Sequence, residues 1–185
     1  DWSSDVCSSD LLKREDFDDI EIKNAFKYLI DKDNLLDEET MLRYVHAKGR
    51  DNARTPMQWN NSDNAGFTTG QPWLKLNDNY QTINVADALA DPKSVFYYYQ
   101  KLIQLRHDLP IMTTGKYQLL DPEDNEVYAY RRIGQGEQLL VINNFTDQVL
   151  TRNYSVPDDA RLLIGNYDDD EGQTLRPYEA KVYQF

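Results

Sequence analysis

Apolar residues recur at helical spacing between Ile20 and Ile30, where Ile22, Phe26, Leu29 and Ile30 share one face. Asp37 then stands as the N-cap of a second helical pattern, EETMLRYVHAKG. Met41, Leu42 and Val45 form its apolar side, and Lys48-Gly49 marks its stop. From Gly49 through Tyr80 no period survives, and Asn, Asp, Gly and Pro alternate with Trp59, Phe67 and Trp73. A short helix is expected over Val85–Leu89. A longer one follows Asp91-Pro92, with the proline at its first position and Val95, Phe96, Tyr99, Leu102, Ile103 and Arg106 in an amphipathic pattern that ends near Leu109-Pro110. The period then changes to that of strands, at 115–120, 126–133, 137–144, 147–154, 161–165 and 180–184. This pattern predicts an antiparallel meander forming a small β-sandwich, with the boundary near Thr113–Gly115.

The chain has 185 residues, enough for one domain or for a small domain and part of another. Its 40% hydrophobic content supports a packed core. A net charge of −12 argues against a nucleic-acid backbone or an anionic membrane as partner. No window approaches the roughly 18 apolar residues of a membrane helix, and no basic-then-apolar leader opens the chain, so a cytoplasmic protein is expected. The lone cysteine, Cys7, lies in DWSSDVCSSDL, which has no structural period. The back-translation of residues 1–11 resembles a common short-read sequencing adapter, and the segment is set aside as non-native.

The stretch GRDNARTPMQW at 49–59 gathers two arginines, an aspartate, two amides and a tryptophan at the exit of a helix. Together with NAGFTTGQPW, NYQTINV, SVFYYYQKLIQLR and LRPYEAKVY, in this order, it resembles the C-terminal third of the oligo-1,6-glucosidases. These are exo-acting α-glucosidases of the α-amylase family, glycoside hydrolase family 13, and the resemblance runs from about Lys13 to Phe185.

The resemblance implies a mixed fold. Residues 12–112 would be the helical and loop remnant of the end of a (β/α)8 barrel, and 113–185 an all-β antiparallel C-terminal domain. A whole barrel takes about 200 residues or more, so its body is not contained in this chain. Retaining glycosidases need a nucleophilic carboxylate and a protonated carboxylic acid about 5 Å apart. In the family these lie on upstream strands, so no residue of this chain is assigned a catalytic role. Arg50 matches the arginine that lines the floor of the pocket for the non-reducing glucose, paired there with a carboxylate from the first barrel loops. A guanidinium fork suits that task because it can hold a carboxylate and a sugar hydroxyl together. Neither a cofactor nor a metal is implied, and the parent is expected to be a monomer acting on small oligosaccharides.

The other motifs have plainer readings. Asp51, Asn52 and Arg54 are expected to fix the loop through side-chain to backbone bonds and a local ion pair. Trp59, Phe67 and Trp73 are expected to pack beneath the loop, although stacking on sugars is the alternative. NYDDDEG at 166–172 lacks the spaced ligands of a calcium loop and is expected to be a solvated turn. His46 and His107 have no second ligand at metal-binding spacing, and the tyrosines at 97–99 suit helix packing plus surface. Two further functions stay open: a trehalose-6-phosphate hydrolase of the same family, or a free-standing β-sandwich that binds carbohydrate or a partner.

Overall fold

A computed structural model describes residues 13–185; the 1–11 segment and its Cys7 lie outside them. Two compact units emerge, one ending at Ser94 and the other spanning Val95–Phe185.

In the first unit, α1 (Ile20–Ala25) begins where the Asp19 carboxylate accepts the Glu21 N–H, an N-cap that satisfies an otherwise orphaned donor. The helix continues as a wider π-turn over Phe26–Lys32. α2 (Glu38–Lys48) is capped by Asp37, which accepts the Thr40 N–H, as its sequence predicts. Ile22 and Phe26 meet Met41 and Val45 in a small core, with Leu29, Ile30 and Leu42 at its margin. Phe17, which stands ahead of the periodic segment, is fully buried there as well. Beyond α2 the chain runs through short 3-10 turns at Arg50–Ala53, Asp63–Gly66 and Asp78–Gln81 to α3 (Val85–Ala90).

The second unit opens with α4 (Val95–Asp108) and α5 (Ile111–Thr114). The helix starts three residues after Pro92, not at it, because Asp91 to Ser94 form a turn closed by the Ser94 N–H on the Asp91 carbonyl. Seven strands follow: β1 (Lys116–Leu120), β2 (Val127–Ile133), β3 (Gln138–Asn144), β4 (Leu150–Thr151), β5 (Arg161–Gly165), β6 (Thr174–Leu175) and β7 (Ala180–Gln184). The meander is real only for β1 to β3. The five-stranded antiparallel sheet has the order β1-β2-β3-β7-β5, while β4 and β6 form a separate ribbon. Alternation along the strands gives the sheet two apolar faces. Ala129, Leu140, Ile142 and Tyr183 pack with Tyr154, Leu175 and Leu150 from the ribbon side. Val182, Ile164 and Val141 pack instead with Leu105, Leu102 and Tyr98 of α4. The second layer expected of a sandwich is therefore a two-stranded ribbon on one face and a helix on the other. Among the described residues, no helix is long and apolar enough to cross a membrane.

Candidate functional site

Gly49 ends α2 against its own last turn: a Cβ there would stand 2.6 Å from the Val45 carbonyl oxygen. The close turn sends the chain into the 3-10 segment that carries Arg50. The Arg50 Nε donates to Asp19 Oδ2 at 2.6 Å and its Nη2 to Asp19 Oδ1 at 2.8 Å, a fork-on-fork pair. Glu21 adds a longer contact of 3.3 Å to Nη2. The Asp19 carboxylate is 1% exposed, whereas half of the Arg50 side chain faces solvent. The Arg50 hydrogen bond holds the Asp19 carboxyl at about 2, so it is ionised throughout the physiological range.

The rest of the motif fixes this pair. Asp51 is fully buried, and its Oδ2 accepts the backbone N–H groups of Asp18 at 2.7 Å and Asp19 at 2.8 Å. Its Oδ1 makes no hydrogen bond and has the Arg54 Nη1 at 3.5 Å. Arg54 Nη1 also stands 3.7 Å from Asp19. The Asn52 amide donates to the carbonyls of Val45 and His46, closing the end of α2. Asp51, Asn52 and Arg54 thus make the side-chain to backbone bonds and the ion pair expected of them. Asp19 is the residue that sequence reasoning missed as a member of the site. Its one signal was its place ahead of the apolar period, which marks an N-cap and says nothing of Arg50.

The aromatics depart from expectation. Trp59, Phe67 and Trp73 are 49%, 41% and 58% exposed instead of buried beneath their loop. The loop is organised by backbone and amide contacts, so it has no need of the rings as its core. The N–H groups of Trp59 and Asn60 both reach the carbonyl of fully buried Ala65, and Asn64 donates to the carbonyls of Thr68 and Gly70. Asn64, Ala65 and Gly66 all take positive φ, and a Cβ on Gly66 would meet the Asn60 amide at 2.7 Å. A cleft of about 570 Å³ opens beside this loop, lined by Asn52, Thr55, Met57, Gln58, Asn84 and Val85 among others. Arg50 is not part of its wall.

The acidic run is also more than a solvated turn. Asp170 accepts from Lys181 Nζ at 2.9 Å and from the Tyr183 hydroxyl at 2.7 Å, and Asp169 accepts from Arg176. Lys181 is 1% exposed and has Glu179 3.3 Å away, so two carboxylates share a buried ammonium. Burial pushes the Asp170 carboxyl up, but the bonds from Lys181 and Tyr183 outweigh it and the net shift is downward. Every resolved carboxyl shift among the described residues is downward: Asp19, Asp31, Asp37, Asp124, Asp169, Asp170 and Glu179. A glycosidase general acid needs the opposite direction. No group of three or more His, Cys, Asp or Glu among the described residues has the arrangement of a metal site.

Residues 15–115 match the model of the alpha amylase catalytic domain, and 117–179 that of the alpha amylase C-terminal all-beta domain. The fold is a partial catalytic domain followed by the all-β domain. The chain is 51% identical over 174 residues to an oligo-1,6-glucosidase of Heyndrickxia coagulans, an alignment covering 93% of this chain and 31% of that protein. Among solved structures, the Bacillus licheniformis trehalose-6-phosphate hydrolase superposes with a TM-score of 0.82 at 43% identity, over 93% of this chain and 32% of that one. The trehalulose synthase of Pseudomonas mesoacidophila superposes with a TM-score of 0.83 at 40% identity, over the same shares of the two chains. This chain therefore spans about a third of the length of the relatives it matches.

Proposed function

Since the chain belongs to the alpha-amylase family, we propose that it is the C-terminal third of a retaining, exo-acting α-glucosidase. The whole enzyme would release terminal α-1,6-linked or α-1,4-linked glucose from short oligosaccharides. The 51% identity to an oligo-1,6-glucosidase, extending over 93% of the chain, carries this reading. The arrangement around Arg50 agrees with it. One edge of the guanidinium is held by a buried carboxylate while half of the side chain stays open, which leaves donors for a sugar hydroxyl or a second carboxylate. The catalytic carboxylates would come from the part of the enzyme outside this chain, so the chain alone is inactive. We place the enzyme in the cytoplasm as a monomer that needs no cofactor; the −12 charge of this chain disfavours nucleic acid and membrane as partners.

A second reading within the family is hydrolysis of trehalose 6-phosphate, favoured by the close superposition on a hydrolase of that name. A free-standing binding module is disfavoured by the catalytic-domain match over 15–115.

The test grafts residues 13–185 in place of the matching part of the H. coagulans enzyme, the 51% identical relative. Arg50→Ala should lower kcat/KM for isomaltose by roughly ten- to a thousandfold, since it removes a charge-assisted bond and orphans a carboxylate. Arg50→Lys should recover part of the loss, because an ammonium keeps the charge without the fork. The ungrafted chain should leave an aryl α-glucoside untouched. Reproducible turnover by that chain after repurification would contradict the assignment, and a silent Arg50→Ala would remove Arg50 from the site.

A further inference from the structure

We propose that Asp19 is the positioning residue of Arg50. It would orient the guanidinium toward substrate without touching substrate itself. The inference rests on the reading of Arg50 as a sugar contact, and goes beyond it by assigning a role to a residue in a different segment.

Three observations carry it. First, the pair is bidentate at 2.6 and 2.8 Å, which fixes the plane of the guanidinium as well as its location. A single-point contact would leave the plane free to rotate. Second, the two partners differ in burial. The carboxylate is enclosed and the guanidinium half open, so Asp19 is the anchor and Arg50 the presented group. Third, Asp19 is itself held from two sides. Its Oδ1 accepts the Glu21 N–H at 2.8 Å as the cap of α1, and its own N–H donates to fully buried Asp51 at 2.8 Å. The loop that carries Arg50 therefore also supplies, through Asp51, the group that sets the backbone of Arg50's partner. The contacts run in a closed circuit from Arg50 to Asp19 to Asp51 and back along the chain. Among the other charged groups facing it, Arg54 stands farther off at 3.7 Å and Glu21 is largely exposed, so neither replaces the fork.

Asp19→Asn separates positioning from simple support, because asparagine caps a helix about as well as aspartate. In the graft, Asp19→Asn should lower kcat/KM by roughly tenfold or more, as a misplaced contact does, while Tm stays near that of the parent graft. The double variant with Arg50→Ala is the decisive measurement. If Asp19 acts through Arg50, adding Asp19→Asn to Arg50→Ala costs less than about twofold further. A merely structural Asp19 would multiply its own loss onto that of Arg50→Ala, and this result would overturn the proposal. Full activity in Asp19→Asn beside a crippled Arg50→Ala overturns it too, while sparing the reading of Arg50. If Arg50→Ala is itself silent, both fall. The 185-residue chain gives an independent readout by nitrogen-15 NMR. The Arg50 Nε–H signal should be shifted and protected in the parent chain and collapse to the free-arginine position in Asp19→Asn, but persist in Glu21→Gln. An Nε–H signal unmoved by Asp19→Asn would overturn the pair on which the proposal stands.

Discussion

Asp51 accepts two backbone N–H groups from a segment more than 30 positions away, and no water reaches it. Replacing it with alanine strands the N–H of buried Asp19, at about 1–3 kcal/mol, and removes the bond to the N–H of exposed Asp18. Arg54→Ala, by contrast, removes two longer contacts of 3.5 and 3.7 Å, neither of them a hydrogen bond, from a side chain that is 44% exposed, and should cost less. Urea denaturation of the two variants should rank them in that order; equal midpoints would show that Asp51 is not the pin of this turn. The same residues mark how far the site was legible. Asn52 closing the helix just before it and Asp37 capping the helix just after it are local events, written in the spacing. The Arg50–Asp19 pair joins residues 31 positions apart, and spacing carries no information about that. Lys181 fails for a related reason. Strand alternation turns it toward the ribbon side of the sheet, where Asp170 of the acidic run, 11 positions back, meets it beside its near neighbour Glu179.

At the scale of elements, α4 is the clearest lesson. Its pattern reads as one amphipathic face, yet the helix has two apolar sides. Tyr98, Leu102 and Leu105 pack with the sheet, whereas Phe96, Tyr99 and Ile103, spaced by three and four residues, are exposed along another line. The two stripes overlap in sequence, so periodicity alone could not assign one of them to the sheet. Their different environments predict opposite responses. Leu105→Ala should cost about 2–5 kcal/mol, because a nearly enclosed side chain is lost from a packed contact. Ile103→Lys should change the melting temperature little and reduce concentration-dependent association, since exposed contiguous apolar surface is what drives it. Sedimentation at two concentrations reads the second effect. The expectation for this face fails if Ile103→Lys unfolds the chain or leaves its association unchanged. Strands were easier to read where they are long. β1 to β3 and β7 fall close to their expected ranges, whereas β6, two residues in a ribbon, is too short for any alternation to show.

For the whole molecule, the consequence is where the chain can be divided. The change from helical to strand period near Thr113–Gly115 is a change of secondary structure, but the compact unit begins at Val95. The reason is energetic. Ile164 and Val182 lie on the sheet face that packs with Leu105, so a β domain cut at Gly115 would expose them together with Val141. Each such side chain returned to water forfeits about 1.5–3 kcal/mol, and three or more together rival the whole stability of a domain this size. A shortened chain of residues 95–185 should therefore fold cooperatively, with the near-ultraviolet circular dichroism of a packed aromatic core. One of residues 115–185 should lose that signal or aggregate. Thermal melts of the two shortened chains under identical conditions decide the matter. Equal melting temperatures would mean that α4 contributes nothing to the sheet, and the unit would then begin where the sequence period changes.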